Sequence, residues 1–247
     1  MGKGKRILLL GVYGMEMVEC GGVICKNAKA DGTSHVSVLF AGPRMQEALG
    51  PSAETLGCTI EYLNMDVGTI SASVEEKKQV IKVIRSFKPD IIITQDPEHC
   101  IGDLDPGRRP AMTLLLEAMA LAGRRIWLDE EAGTEPHRGF TVYYMTPEHP
   151  NCLVDILEVW DEKCHAMDLL ESQLEFIGEL SDTPEQRATW SRFIPGVEEM
   201  DLLEYGTKIK RIMDQAYHMY YGSNGHNKVL LSENYRKESL FVLDQLM

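Results

Sequence analysis

Nowhere in this 247-residue chain is there an apolar run long enough to span a bilayer. Positive charge is also scarce: 25 Lys and Arg stand against 38 Asp and Glu, a formal net charge of −13. The first absence gives no sign of a membrane partner. The second argues against a nucleic-acid binder, which needs a basic footprint, and describes a surface that repels anionic polymers and membranes. The six cysteines, Cys20, Cys25, Cys58, Cys100, Cys152 and Cys164, include no CxxC pair. They are expected as reduced thiols in a cytoplasmic protein. There is no G-x-G-x-x-G and no P-loop, so a nicotinamide cofactor and a cradled nucleoside triphosphate are not expected. Internal repeats and low-complexity tracts are absent as well.

What remains is ordinary globular material, 44% hydrophobic and 26% charged, enough for one good-sized domain over 1–247. The opening, MGKGKRILLLGVYG, is basic and then apolar. Its apolar run is too short for a signal peptide and charge returns at Glu16, so it reads as a first strand. The first half alternates strands and helices. ILLLG (7–11), HVSVLFAG (35–42), TIEYLNM (59–65) and IIIT (91–94) read as strands. Between them fall helical patterns at Cys20–Ala30, Met45–Leu56 and Val74–Phe87, the last opened by Ser73 as N-cap. Ala111–Gly123 reads as a further helix, and RRIWL (124–128) and FTVYYM (140–145) as further strands. Alternating βα units imply an α/β, Rossmann-like, mostly parallel sheet over 1–150. After Pro150 two long amphipathic helical patterns, VDILEVWDEKCHAMDLLESQLEFI and DLLEYGTKIKRIMDQAYHMYYG, flank a polar segment, Gly178–Met200. The second half, 151–247, is expected to hold a C-terminal strand and a helical cap.

The stretch Arg6–Lys26 concentrates the interest. It is a buried strand, a turn at Gly11, a loop, and a Gly21-Gly22 step into a helix. Open α/β sheets place ligands at such strand ends. Yet the loop Val12–Cys20 carries only Glu16 and Glu19 as charged side chains, with no His or Asp.

The layout resembles the PIG-L/LmbE-like family of zinc-dependent N-deacetylases. GVYGMEMVECGGVICKNAKADGTSHVSVLFAGP is similar to that family's first βαβ unit, and VIRSFKPDIIITQDPE to the run entering its second metal loop. Val154-Asp155-Ile156, Lys163, Ala166 and Ser172-Gln173 are similar to a strand leading into a helix that ends in Ser-Gln. YYGSNGHNKVLLSENYR is similar to the closing segment, with Glu233 and Tyr235 in place. The resemblance implies two signatures: Ala-His-Pro-Asp-Asp after strand one, supplying two zinc ligands and a general base, and His-Pro-Asp-His after strand four, supplying the last ligand. Here the first reads Val12-Tyr13-Gly14-Met15-Glu16, about one residue short, and the second reads Asp105-Pro106-Gly107-Arg108. A guanidinium does not ligate zinc.

The chain is therefore expected to be a divergent relative that binds a polar, sugar-like or anionic small molecule in the family cleft, with no cofactor; zinc is the cofactor if that reading fails. Arg108 and Arg109 are candidate anion ligands, against a plain salt bridge from Arg108 to Glu16. Tyr13 is a candidate hydrogen-bond donor, against simple packing, and Met15 a further lining residue. His149, after a strand, is a candidate ligand contact, against a loop histidine. If catalysis survives, Glu16 and Asp105 are the carboxylates placed to serve it. The alternatives are an active amidohydrolase with a metal site relocated to Glu16, His99, Asp103 and Asp105, and a purely structural subunit. Cys20 at a helix start is a candidate nucleophile, set against the absence of a nearby His base. The long apolar helices would permit a homo-oligomer.

Overall fold

The computed structural model of the protein describes residues 4–223 and 228–238, so the part of the closing segment at 224–227 lies outside the described residues. ILLLG falls in β1 (Arg6–Tyr13). Its consecutive apolar residues are all buried because successive side chains point to opposite faces and both faces are covered. Ile7 and Leu9 enter one core, while Leu8, Leu10 and Val12 enter the other. The parallel strands β2 (Thr33–Phe40), β3 (Cys58–Tyr62), β4 (Ile91–Gln95) and β5 (Thr141–Met145) pair around it. Two strands from the second half, β6 (Cys152–Asp155) and β7 (Ser232–Glu238), complete a sheet of order β3-β2-β1-β4-β5-β7-β6, with β7 antiparallel to both neighbours.

The chain leaves β1 toward β2 and β3, then crosses back to lay β4 on the other side of β1. The carboxyl ends of β1 and β4 thus form the switch point at which open α/β sheets hold ligands. One face is covered by α1 (Met15–Glu19), α2 (Gly21–Lys29), α3 (Pro43–Leu56) and α7 (Trp160–Asp168), the other by α4 (Val74–Phe87) and α6 (Arg108–Ala122). α5 (Pro97–Gly102), α8 (Glu171–Leu180), α9 (Pro184–Trp190) and α10 (Leu202–Ser223) complete the helices among the described residues. None of them is long and apolar enough to cross a membrane.

The expected cap of α4 is present as a full capping box. Ser73 Oγ accepts from Glu76 N at 3.2 Å, and Glu76 Oε2 accepts from Ser73 N at 2.6 Å.

Several expectations are corrected. The segment 124–128 is not a strand. Arg85 of α4, 2% exposed, donates to the carbonyls of Ala122, Arg124, Ile126, Trp127, Ala132 and Gly133. Carbonyls gathered on one guanidinium cannot also line up along a ladder. The pattern beginning at Val154 is not one helix: it opens within β6 and breaks again between α7 and α8. The polar stretch 178–200 holds α9, started by Thr183, whose Oγ1 accepts from Gln186 N at 3.2 Å. The helix expected over Cys20–Ala30 starts one residue later, and the preceding loop contains α1.

Candidate functional site at the switch point

At the carboxyl end of β1, Gly14 turns the chain into α1, which brings Glu16 back under the strand end. Glu16 is 2% exposed. Its Oε2 accepts from Val12 N at 2.6 Å; its Oε1 accepts from Gln95 Nε2, at the end of β4, and from an Arg108 guanidinium nitrogen at 3.1 Å. Arg108 opens α6, and its Nε lies 3.0 Å from Asp103 Oδ2. The guanidinium therefore sits between two carboxylates, over the Tyr13 ring at 5.2 Å from the centroid. Tyr13 Oη donates to Asp105 Oδ1 at 3.0 Å, and Gly107 N donates to the same oxygen at 2.7 Å. Asp105 N donates to Asp103 Oδ1 at 2.9 Å, so the loop 103–107 is folded on its own carboxylates.

Burial pushes the Glu16 carboxyl up to about 7, against the opposing pull of Arg108. Burial, helped by the Asp105 carboxylate, pushes Tyr13 up to about 12, so its phenol stays a donor. The Cys20 thiol is buried, and burial raises it well above the ordinary thiol range, which opposes the thiolate a nucleophile needs.

A second cluster fixes the α1–α2 junction. Lys163 Nζ donates to the carbonyls of Val18 (2.9 Å) and Glu19 (2.5 Å), at the end of α1, and to Glu233 Oε1 (2.7 Å). Glu233 in turn accepts from the amides of Gly22 (2.7 Å) and Val23 (2.9 Å), at the start of α2, and from Tyr235 Oη (2.8 Å). Lys163 thus caps one helix and Glu233 the next. Their separation of 70 positions in sequence is bridged by the antiparallel return of β7.

Two cavities meet at this site. A cleft of about 820 Å³ is lined by Tyr13, Met15, Phe40, Asp66 and Phe176 among others. A chamber of about 400 Å³ is lined by Gln95, His99, Asp103, Thr146, Tyr217 and Tyr221. Glu19 and Arg108 line both.

The structure thus brings Tyr13, Met15, Glu16, Asp103, Asp105 and Arg108 together. His99 lines the chamber but pairs with Glu148 at 2.7 Å. His149, expected at the cleft, is instead on the surface, 3.6 Å from Glu98. Its loop carries the side chain outward, away from both cavities. Arg109 is also exposed and donates to the Asp103 carbonyl, so it braces the loop rather than lining the cleft. Sequence reasoning missed Gln95, Thr146, Tyr217 and Tyr221. The i,i+4 spacing of Tyr217 and Tyr221 marks a shared helix face, but nothing local says that this face returns to β1.

No protein-family model matches the chain. A stretch of 125 residues is 33% identical to the diacetylchitobiose deacetylase of Thermococcus kodakarensis, covering 49% of this chain and 46% of that protein. The match thus spans about half the length of that relative. The N,N'-diacetylchitobiose deacetylase of Pyrococcus horikoshii superposes with a TM-score of 0.69 over 94% of this chain and 83% of that one, at 19% identity. The chain has a PIG-L/LmbE-like fold. GalB, the 4-carboxy-2-hydroxymuconate hydratase of Pseudomonas putida KT2440, shares it with a TM-score of 0.65, 19% identity and coverage of 98% and 100%. One fold thus carries deacetylase and hydratase names, so the PIG-L/LmbE-like architecture locates the site without naming the reaction.

The zinc that the resemblance implies can be tested against the residues present. The positions expected to hold it carry Tyr13, Met15 and Arg108, and the one buried carboxylate beside them is engaged by Val12, Gln95 and Arg108. Among the described residues no three His, Cys, Asp or Glu side chains gather to hold a metal ion. This donor set does not fit a divalent cation at the switch point. The relocated set is not assembled either, since Asp103 and Glu16 close on Arg108 and His99 closes on Glu148.

Proposed function

We propose that this chain binds a polar, sugar-like small molecule in the cleft at the carboxyl ends of β1 and β4, without zinc-dependent hydrolysis. Arg108 carries this reading. Its guanidinium contacts both Glu16 and Asp103 at the switch point, so a cation there would face a fixed positive charge and a carboxylate already in use. The rest of the cleft supports recognition of a hydroxylated ring. Tyr13, Phe40 and Phe176 supply aromatic faces, and Gln46, Asn64, Asp66 and Gln173 supply donors and acceptors. The matched relatives include proteins named as diacetylchitobiose deacetylases, whose named substrate is an N-acetylated sugar. A purely anionic ligand is less well served, because Arg108 is already flanked by two carboxylates.

The decisive experiment combines acetate release from N-acetylglucosamine with thermal unfolding in the presence of glucose, glucosamine and N-acetylglucosamine. The proposal expects a saturable rise in Tm with at least one sugar, following the logarithmic dependence of ligand stabilisation, and no acetate. Acetate release with stoichiometric bound zinc would overturn it, as would a Tm indifferent to every sugar.

We also propose that the protein self-associates and works in the cytoplasm. Phe176, Leu180 and Phe193, exposed at 50%, 64% and 68%, support the first, and six unpaired cysteines support the second. A monomer by light scattering would remove the former. Fluorescence of a tagged chain outside the cytoplasm would remove the latter.

A further inference from the structure

Beside the 400 Å³ chamber lies a third, partly open cavity of about 210 Å³, bordered by the α1–α2 junction, β7, α7 and α10. Glu19, Thr146 and Tyr217 line both, so these three side chains form the partition between them. Glu19 also lines the large cleft and is therefore common to all three spaces. At 210 Å³ the inner cavity is too small for a whole drug-sized ligand, which needs roughly 300 Å³ or more. It has the size of a subsite.

Two polar groups in that subsite lack partners among the described residues. The Glu19 carboxylate makes no hydrogen bond and no ion pair; only its backbone carbonyl is used, by Lys163. Asn234 is 4% exposed; its Oδ1 accepts from Ser232 Oγ at 3.1 Å, while its Nδ2, beside the Tyr217 hydroxyl, makes no hydrogen bond of ordinary geometry. A buried amide donor without a partner is costly and calls for one. The charges around Glu19 do not neutralise it. Lys163 is closed on Glu233, Lys210 on Asp214, and Arg108 on Glu16 and Asp103. His218, in the same cavity, is pushed down to about 4 by burial and is neutral. Met145, Met167 and Met213 supply the apolar walls.

An unpaired acceptor bearing negative charge and an unpaired donor in one small cavity define a ligand with the opposite pair. We propose that the inner cavity is a subsite for a hydroxylated primary amine, with Glu19 accepting from its ammonium and Asn234 Nδ2 donating to a hydroxyl oxygen. This rests on the reading of the cleft as a binding site for a polar small molecule and adds the charge class. Neither residue belongs to the metal signatures that the resemblance implies.

Titration calorimetry with glucosamine, glucose and glucuronate, on wild type, Glu19→Gln and Asn234→Ala, tests it. Glucosamine is expected to bind tightest and glucuronate weakest. Glu19→Gln is expected to weaken glucosamine about ten-fold or more and glucose less than about three-fold, as loss of a charge-assisted hydrogen bond implies. Asn234→Ala should weaken both sugars alike, by about three- to ten-fold. Far-UV circular dichroism of Glu19→Gln should match wild type, since the Glu19 side chain has no partner to lose, and the same measurement on Asn234→Ala checks that losing the Ser232 contact leaves the fold intact. Glucosamine affinity unchanged in Glu19→Gln, or glucuronate binding tighter than glucosamine, overturns the subsite and leaves the cleft reading standing. No binding of any probe overturns both.

Discussion

Replacing Glu16 by Gln isolates the balance at the centre of the site. Two forces act on this carboxyl: burial, which favours the neutral form, and Arg108 at 3.1 Å, which favours the charged one. Burial wins, placing the folded-state value at about 7 against an ordinary 4.5. Because the value is raised on folding, the stability it contributes is full below about pH 4.5 and is lost as pH rises through about 7. A shift of that size corresponds to ~3 kcal/mol at 1.36 kcal/mol per unit. Gln keeps the shape but removes the titration. The Glu16→Gln variant should therefore gain on wild type by about 3 kcal/mol between about pH 4.5 and 8, equivalent to roughly 6–12 °C in Tm for a chain of this size. Urea midpoints of both proteins, measured across that range, provide the comparison. Parallel curves would refute the reasoning. A gain of wild type over the variant with rising pH would reverse it, showing that Arg108 and not burial sets the state of Glu16.

Three further outcomes follow from the packing. Lys163→Met leaves the Glu233 carboxylate buried without its cation and should cost about 3–5 kcal/mol in urea unfolding; a loss under about 1 kcal/mol would mean that the pair does not hold the α1–α2 junction. Arg85→Leu removes the donor shared by six carbonyls, so limited proteolysis should cut between 122 and 139 in the variant and not in wild type. Gly206→Ala places a methyl 1.9 Å from the Leu174 carbonyl, where α10 crosses α8; it should lower stability by about 1–3 kcal/mol or more, and an unchanged urea midpoint would contradict that close approach.

The first four strands, FTVYYM and the mostly parallel character of the sheet were legible because each element announces itself locally, whereas the strand order was not. β1 and β4 are apolar runs bounded by turn residues, and α4 combines a clean helical period with Ser73 and Glu76 at capping spacing. The segment 124–128 misled because its Ile-Trp-Leu run has strand composition, while its fate is decided by Arg85, some forty positions earlier. The pairing of Glu16 with Arg108 could be anticipated, since both flank the switch point. Gln95, Tyr217 and Asn234 could not. They reach the site through β4, α10 and β7, whose approach to β1 is fixed by the sheet order and not by any local pattern. Glu19 was visible as one of two charges in the Val12–Cys20 stretch, but its place between three cavities exists only once α1 has turned.

The central proposal is that the Arg108 guanidinium takes the place of the zinc that the resemblance implies. Crystals grown with excess zinc and measured at the zinc absorption edge test it most directly. The account predicts no anomalous peak between the Tyr13 and Arg108 side chains, with Arg108 still bridging Glu16 and Asp103. A full-occupancy peak there, with Arg108 displaced and Glu16 turned onto the ion, would contradict it.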